Sequence, residues 1–423
     1  MRSPFFLPAV GVFAFVVAFA VLLAVLSPAP PRTVMMATGA QGSAYAEVGE
    51  RYRELLARHG VRLELVATNG AVDNVHRLSD AKSGVSVAFV QGGIADAALA
   101  PELVSLGTLF YEPLWIFIRG DVPRVSAGML KGLRVSIGPE GSGTHKFASD
   151  LFGSLGLDVT GTEFLDLTSQ DAAAALLRGE IDTAMMVAPW EYAVVRRLLA
   201  SEGINAFPFP RADAHVALRP YLNKLVVPQG VADLASNRPP ADLVLVAPKC
   251  SLVVRDDLHP ALQYLLLQAA SQLHSKPGIF QKAGQFPSAE PIDLPLSEHA
   301  QRFYQTGPPF LQRYLPFWMA VFVARLLVLL IPIVGVAYPM VRLLQGIYGW
   351  GMRRRIFNLY GELKFLEADL EARSSGAPVE DLRASLEKLE FRADHLRVPV
   401  AFAYMLYTLR DHIGLVRSRL EQR

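Results

Sequence analysis

Two glycine-rich turns carry the residue types best suited to holding an anion. Gly39-Ala40-Gln41-Gly42-Ser43-Ala44-Tyr45 and Gly138-Pro139-Glu140-Gly141-Ser142-Gly143-Thr144 each follow an apolar run and lead into a segment with helical spacing. Each would therefore turn the free N–H groups and positive dipole end of a helix towards a carboxylate or another anion. The plain alternative is a capped turn, with Ser43 as N-cap. The second turn has the G-x-x-x-x-G spacing of a phosphate loop, but Thr144-His145 stands where Lys followed by Ser or Thr is required, so a nucleotide would lack its lysine. Ser142 has Glu140, not glycine, two residues before it, which removes the nucleophile elbow. His145 has no readable acid partner and reads as a surface histidine. The single cysteine, Cys250, supplies neither a thiolate cluster nor an internal disulfide. No catalytic set, metal site or cofactor is expected.

Amide side chains complete the candidate site. Asn69, Asn74 and Gln91 lie at the predicted crevice edge of the first lobe, where they would donate to a carboxylate without the desolvation cost of a buried charge; turn chemistry is the competing role for the two asparagines. Trp190 would wall the site or lie in the core, and Tyr221 and Arg219 are weaker candidates for clamping an anion.

These residues need a scaffold that brings strand ends together. Val34–Thr38 reads as a strand, Ala44–Arg58 as a helix, Val61–Ala67 as a strand, Ala71–Lys82 as a helix and Val85–Val90 as a strand. Such a βαβαβ order predicts a mostly parallel, helix-covered sheet that binds ligands at a crevice by its strand ends. Arg134–Gly138, Thr144–Leu155, Thr168–Leu177 and Ile181–Val187 repeat the pattern, and Asp171–Met186 echoes Asp73–Val90. Two α/β lobes in series place a ligand between them. Leu243–Val254 reads as strands returning to the first lobe, with Pro260–Gln272 as a covering helix, so the chain crosses between lobes more than once.

Composition adds a second theme. Hydrophobic residues make up 52% of the 423 residues and charged ones 19%, with a net charge of +2, which excludes disorder and the field of a nucleic-acid binder. The apolar excess sits at Phe5–Leu26, where an uncleaved anchor is favoured over a signal peptide, and at Phe317–Val341, which contains Arg325. With Arg342 and Arg353–Arg355 following the second run, the positive-inside rule predicts two spans, both termini cytoplasmic and the intervening segment outside an inner membrane. The expected order is a short N-terminus (1–4), a span or uncleaved signal (5–27), lobe 1 (32–120), lobe 2 (121–240), a return to lobe 1 with a membrane-proximal linker (241–315), a second span (317–341) and a cytoplasmic helical tail (342–423).

Four motifs in order, Thr38-Gly39-x-x-Gly42-Ser43-x-Tyr45, Thr68-Asn69-Gly70-Ala71-Val72-Asp73-Asn74, Phe89-Val90-Gln91-Gly92 and Leu133–Gly138 with Gly141-Ser142-Gly143-Thr144, resemble the TAXI family of TRAP-transporter solute receptors over about residues 33 to 275. The resemblance implies a type II periplasmic-binding-protein fold with two lobes and a ligand cleft. It also implies capture of a small carboxylate, an amino acid or a dicarboxylate, and delivery to a TRAP membrane subunit. Carried over, the site positions are Ser43, Tyr45, Asn69, Asn74, Gln91, Ser142 and Thr144, to which the reading of the residues adds Trp190 and Tyr221. In the tail, Ile356 to Leu370, Leu382 to Leu396 and Phe402 to Leu420 form three apolar stripes. They predict either self-contained helical packing or a docking surface for a homo-oligomer or another protein. A transport receptor and a ligand sensor signalling through spans and tail are the two functional expectations.

Overall fold

The structure, a computed structural model, describes residues 13–15, 17–19, 21, 29–121, 126, 128–156, 158–372 and 379–422. They belong to two compact units, Ala29–Ala324 on the one hand and Met1–Pro28 with Arg325–Arg423 on the other.

In the first unit, β1 (Thr33–Ala37), α1 (Ala44–Arg58), β2 (Arg62–Val66), α2 (Ala71–Ser79) and β3 (Val85–Gln91) build the expected βαβαβ layer, with β1 parallel to both β2 and β3. The helix α1 forms where the residues favour it. Ser43 Oγ accepts from Ala46 N at 3.3 Å, Glu47 sits at the positive end, and Tyr45, Gly49, Tyr52 and Leu56 bury one stripe. Next come β4 (Leu103–Tyr111), β5 (Leu114–Arg119), β6 (Arg134–Ser136), α3 (Gly143–Leu155), β7 (Glu163–Leu165), α4 (Ser169–Arg178), β8 (Thr183–Val187), α5 (Ala193–Ala200) and β9 (Ile204–Ala206). After them come α6 (Ala212–Leu218), β10 (Asn223–Val227), β11 (Leu243–Ala247), β12 (Lys249–Arg255), α7 (Pro260–His274), α8 (Glu298–Thr306) and α9 (Phe310–Tyr314). One five-stranded sheet has the order β2-β1-β3-β12-β4, another β7-β6-β8-β5-β9, and β10 pairs with β11 in a two-stranded ribbon.

The chain passes between the sheets twice, at Glu112-Pro113 after β4 and at Pro248 between β11 and β12. The two crossings touch, Glu112 N donating to Pro248 O at 2.9 Å. The sequence pattern of strands and helices puts these exchanges near residues 120 and 240. The structure puts them at two prolines, which lack the N–H needed to carry a ladder onward. Tyr52, Phe89, Leu252 and Leu266 lie in the core of lobe 1. Lobe 2 is filled on one face of its sheet by Trp115, Phe117, Met186 and Leu198 and on the other by Ile116, Val135, Phe147 and Met185.

The two-span reading is overturned. Among the described residues no helix is long and apolar enough to cross a membrane. The run Phe317–Val341 is the opening of a longer helix, α10 (Phe317–Ala372). Its first residues serve another purpose: Phe317 and Ala320 are buried, and Phe317, Trp318 and Val321 pack with the core of lobe 1. Between Arg325 and Arg342 only 16 residues remain, about 24 Å of helix against a hydrocarbon core of about 30 Å. The inner-membrane placement and the cytoplasmic assignment of both termini rested on those spans and fall with them. Most of Phe5–Leu26 lies outside the described residues.

In the second unit the apolar stripes face one another. Ile356, Leu359, Leu363 and Leu370 of α10, Leu382, Leu386, Leu389 and Ala393 of α11 (Glu380–His395), and Leu406, Leu409, Ile413, Val416 and Leu420 of α12 (Val400–Glu421) bury each other. Arg392 pairs with Glu362, Arg417 with Glu390, and Arg419 with Glu367 at 2.8 Å. The stripes thus pack against one another inside the unit. Leu409 is fully buried, so Leu409→Ala should cost this unit about 2–5 kcal/mol. Hydrogen exchange of the α12 amides should accelerate accordingly, while amides of β1 and β3 keep their protection.

Candidate functional site

A cavity of about 80 Å³ lies between the two lobes of the first unit, room for roughly five to eight water-sized positions if each needs about 10–15 Å³. Helix beginnings surround it: α1, α2, α3 and α4 all start among its lining residues. A helix leaves its first N–H groups without intrahelical acceptors, and here several remain so among the described residues. Ser43 caps only Ala46, Ser142 Oγ takes His145 N at 3.0 Å, and Thr168 Oγ1 takes Asp171 N at 3.2 Å. The N–H groups of Ala44 and Tyr45, of Gly143 and Thr144, and of Ser169 and Gln170 find no acceptor among the described residues. These residues line the cavity, so the positive ends of α1, α3 and α4 meet there.

Gln91 lies among them. It is 4% exposed, and among the described residues its side-chain amide has no hydrogen-bond partner, which leaves its donors and acceptor turned to the cavity. Gly143 makes room for it: a β-carbon added at that position would come within 2.1 Å of Gln91 Oε1.

The lobes hold each other through the same loops. Gly141 O accepts from Val72 N and Asp73 N, both at 3.1 Å, which gives two first-turn amides of α2 an acceptor in lobe 2. In return, Gly42 O accepts from Gln170 Nε2 at 2.9 Å and from the Tyr192 hydroxyl at 2.8 Å. Gly42 and Gly141 both adopt positive φ, 73° and 84°, which turns their carbonyls outward at little steric cost.

Six of the nine expected site residues line this cavity: Ser43, Tyr45, Asn69, Gln91, Ser142 and Thr144. Thr144 Oγ1 accepts from Val187 N at 3.0 Å, and Asn69 is an exposed rim residue. Three do not. Asn74 is fully buried behind the site, where its Nδ2 donates to Thr38 O at 2.6 Å and Phe89 O at 2.8 Å while its Oδ1 accepts from Thr68 Oγ1 at 2.6 Å. It satisfies the backbone between β1 and β3. Trp190 packs with the core of lobe 2 beside Trp115, ring centroids 6.4 Å apart. Tyr221 packs with the other side of that lobe, its ring occupying the space a side chain at Gly93 would need.

Glu112, Gln170 and Tyr192 were not expected from sequence. Glu112 is the only charged residue between Leu103 and Ile118, a signal available to inspection. It is 2% exposed, lines the cavity, and its Oε2 accepts from the Tyr45 hydroxyl at 2.9 Å. Burial drives its carboxyl up to about 8, and the Tyr45 hydrogen bond opposes this only in part. Burial also pushes the neighbouring Tyr45 and Cys250 upward, so both stay neutral.

The geometry defines a two-lobed α/β protein with an interlobe cleft on which three helix N-termini converge. A family model describes residues 36–306, and the chain belongs to that family, the NMT1-like family. Among solved structures the chain is similar to the periplasmic aliphatic sulphonate binding protein SsuA from Escherichia coli, at 17% identity over 57% of this chain and 68% of that one, with a TM-score of 0.34. It is also similar to an ancestral arginine-binding protein bound to arginine, at 11% identity over 59% and 95% of the two chains, TM-score 0.37. A third likeness is to the BenM effector binding domain with benzoate, at 13% identity over 60% and 99%, TM-score 0.35.

Because the folded carboxyl of Glu112 titrates far above an unfolded one, its protonated form favours the folded state. That contribution is complete below about pH 4.5 and is lost as pH rises through about 8. Without ligand, stability should therefore fall across this window, Glu112 contributing on the order of 3–5 kcal/mol. Urea unfolding at pH 5 and pH 8 should give a smaller difference for Glu112→Gln than for the unsubstituted protein.

Proposed function

We propose that the chain is a solute-binding receptor whose lobes close on a small carboxylate and hand it to a TRAP-type membrane transporter. The observation that carries the reading is the set of six unpartnered helix-start N–H groups gathered around the unpartnered Gln91. A carboxylate placed there would accept from amides that no described residue serves, and three helix dipoles would favour its charge. The absence of Arg, Lys and His from the lining fits this mode of binding, in which backbone amides replace a formal cation. The four-motif resemblance to TAXI receptors supports both the carboxylate and the transporter as recipient, and membership of the NMT1-like family over residues 36–306 is compatible with it.

Thermal unfolding of the full chain with small carboxylates tests the reading. A true ligand at 100 times its Kd should raise Tm by about 5–10 °C. Gly143→Ala should push the Gln91 amide aside and weaken that ligand about tenfold while leaving the unliganded Tm within a few degrees, and Gln91→Ala should act in the same direction. If no carboxylate shifts Tm, the proposal is wrong.

A further inference from the structure

The cavity has a second end. The helix-start amides account for one ligand group, but Glu112 lies in the same lining with an oxygen to spare: Oε2 accepts from Tyr45, and Oε1 has no partner among the described residues. Tyr45 connects the ends, its N–H among the unpartnered amides and its phenol on Glu112. The backbone of Glu112 is equally placed for a role, since its N–H bonds Pro248 O and so joins the two interlobe crossings. The ionisable side chains of the lining are Glu112, Tyr45 and Tyr192, with no cation among them.

Charge arithmetic then separates the two kinds of small carboxylate. A dicarboxylate would bring two negative charges into a lining without a formal positive one and place the second near Glu112. Burying such a charge unpaired is expensive. A ligand with one carboxylate and one ammonium is neutral overall. Its carboxylate would take the helix ends, and its ammonium would meet the acceptor oxygen the protein leaves free.

We propose that Glu112, oriented by Tyr45, is the specificity-determining residue of the site and receives a cationic nitrogen, so that the receptor takes amino carboxylates in preference to their amine-free counterparts. This rests on the carboxylate reading above. It is consistent with the upward titration of Glu112, because an unpaired buried carboxyl holds its proton and an arriving ammonium would release it. The groups facing that carboxyl, Tyr45 and Cys250, are themselves held neutral by burial and cannot serve as the counter-charge.

The test is titration calorimetry on the full chain with matched pairs: alanine and propionate, aspartate and succinate, glutamate and glutarate. In at least one pair the amine-bearing member should bind ten times or more as tightly. At pH 7 its binding should release close to one proton, read from the dependence of the heat on the buffer's ionisation enthalpy. Glu112→Gln should abolish both the preference and the proton release. The proton count is made on the unsubstituted chain and does not depend on the variant's folding. Equal or tighter binding of the amine-free members, or binding of the amine-bearing member without proton release, would overturn this inference alone. Binding by no member of any pair would overturn it together with the carboxylate reading.

Discussion

A buried helix beginning must find acceptors for its first amides, and the rest of this protein's cleft follows from how those amides are distributed. Helix α2 places two of its first amides inside the chain: Val72 and Asp73 give their N–H groups to Gly141 O across the cleft. Helices α1, α3 and α4 meet the need only in part, through one side-chain cap each. The same force that fastens the lobes together therefore leaves a residue of unpaired donors between them. The interlobe bonds and the unpaired amides belong to the same loops, so the segments that fasten the lobes also line the cavity.

The two crossings give this arrangement its second property. A domain pair joined at two touching strands can open about that line without disturbing either core, and the bond from Glu112 N to Pro248 O lies on it. An ionisable group on the crossing, facing the ligand space, is unusual chemistry for a purely structural position. Its environment of Tyr45, Cys250 and the lobe 1 core supplies burial without counter-charge, and that combination raises a carboxyl's affinity for its proton.

Much of this was readable from the residues, for local reasons. The Gly-x-x-Gly-Ser turns declare a positive φ followed by an N-cap within five positions, and the helix stripes after them repeat at short range, so α1 and α3 lie within one residue of their expected limits. What failed depends on distant partners. Asn74 is one helix face away from the site, and only the sheet packing decides that it ties Thr38 to Phe89. Trp190 and Tyr221 sit near strand ends as expected yet turn into cores whose other walls come from elsewhere in the chain. Gln170 and Tyr192 matter only because a carbonyl of the other lobe faces them. The span assignment counted apolar residues without knowing that lobe 1 itself requires Phe317, Trp318 and Val321 as a cover.

The two loops are alike up to the serine and diverge two residues later, and that divergence shapes the cavity. At the position equivalent to Tyr45 the second lobe has Thr144, whose hydroxyl oxygen is occupied by Val187 N within its own lobe. A short side chain there ends at the neighbouring strand, whereas the tyrosine in lobe 1 reaches Glu112 at the crossing. The backbone amides are thus arranged nearly symmetrically about the cleft, while the side chains that follow them are not. A pseudo-repeated scaffold turns helix N-termini of both lobes towards one cavity, and a single tyrosine in place of a threonine gives that cavity a direction.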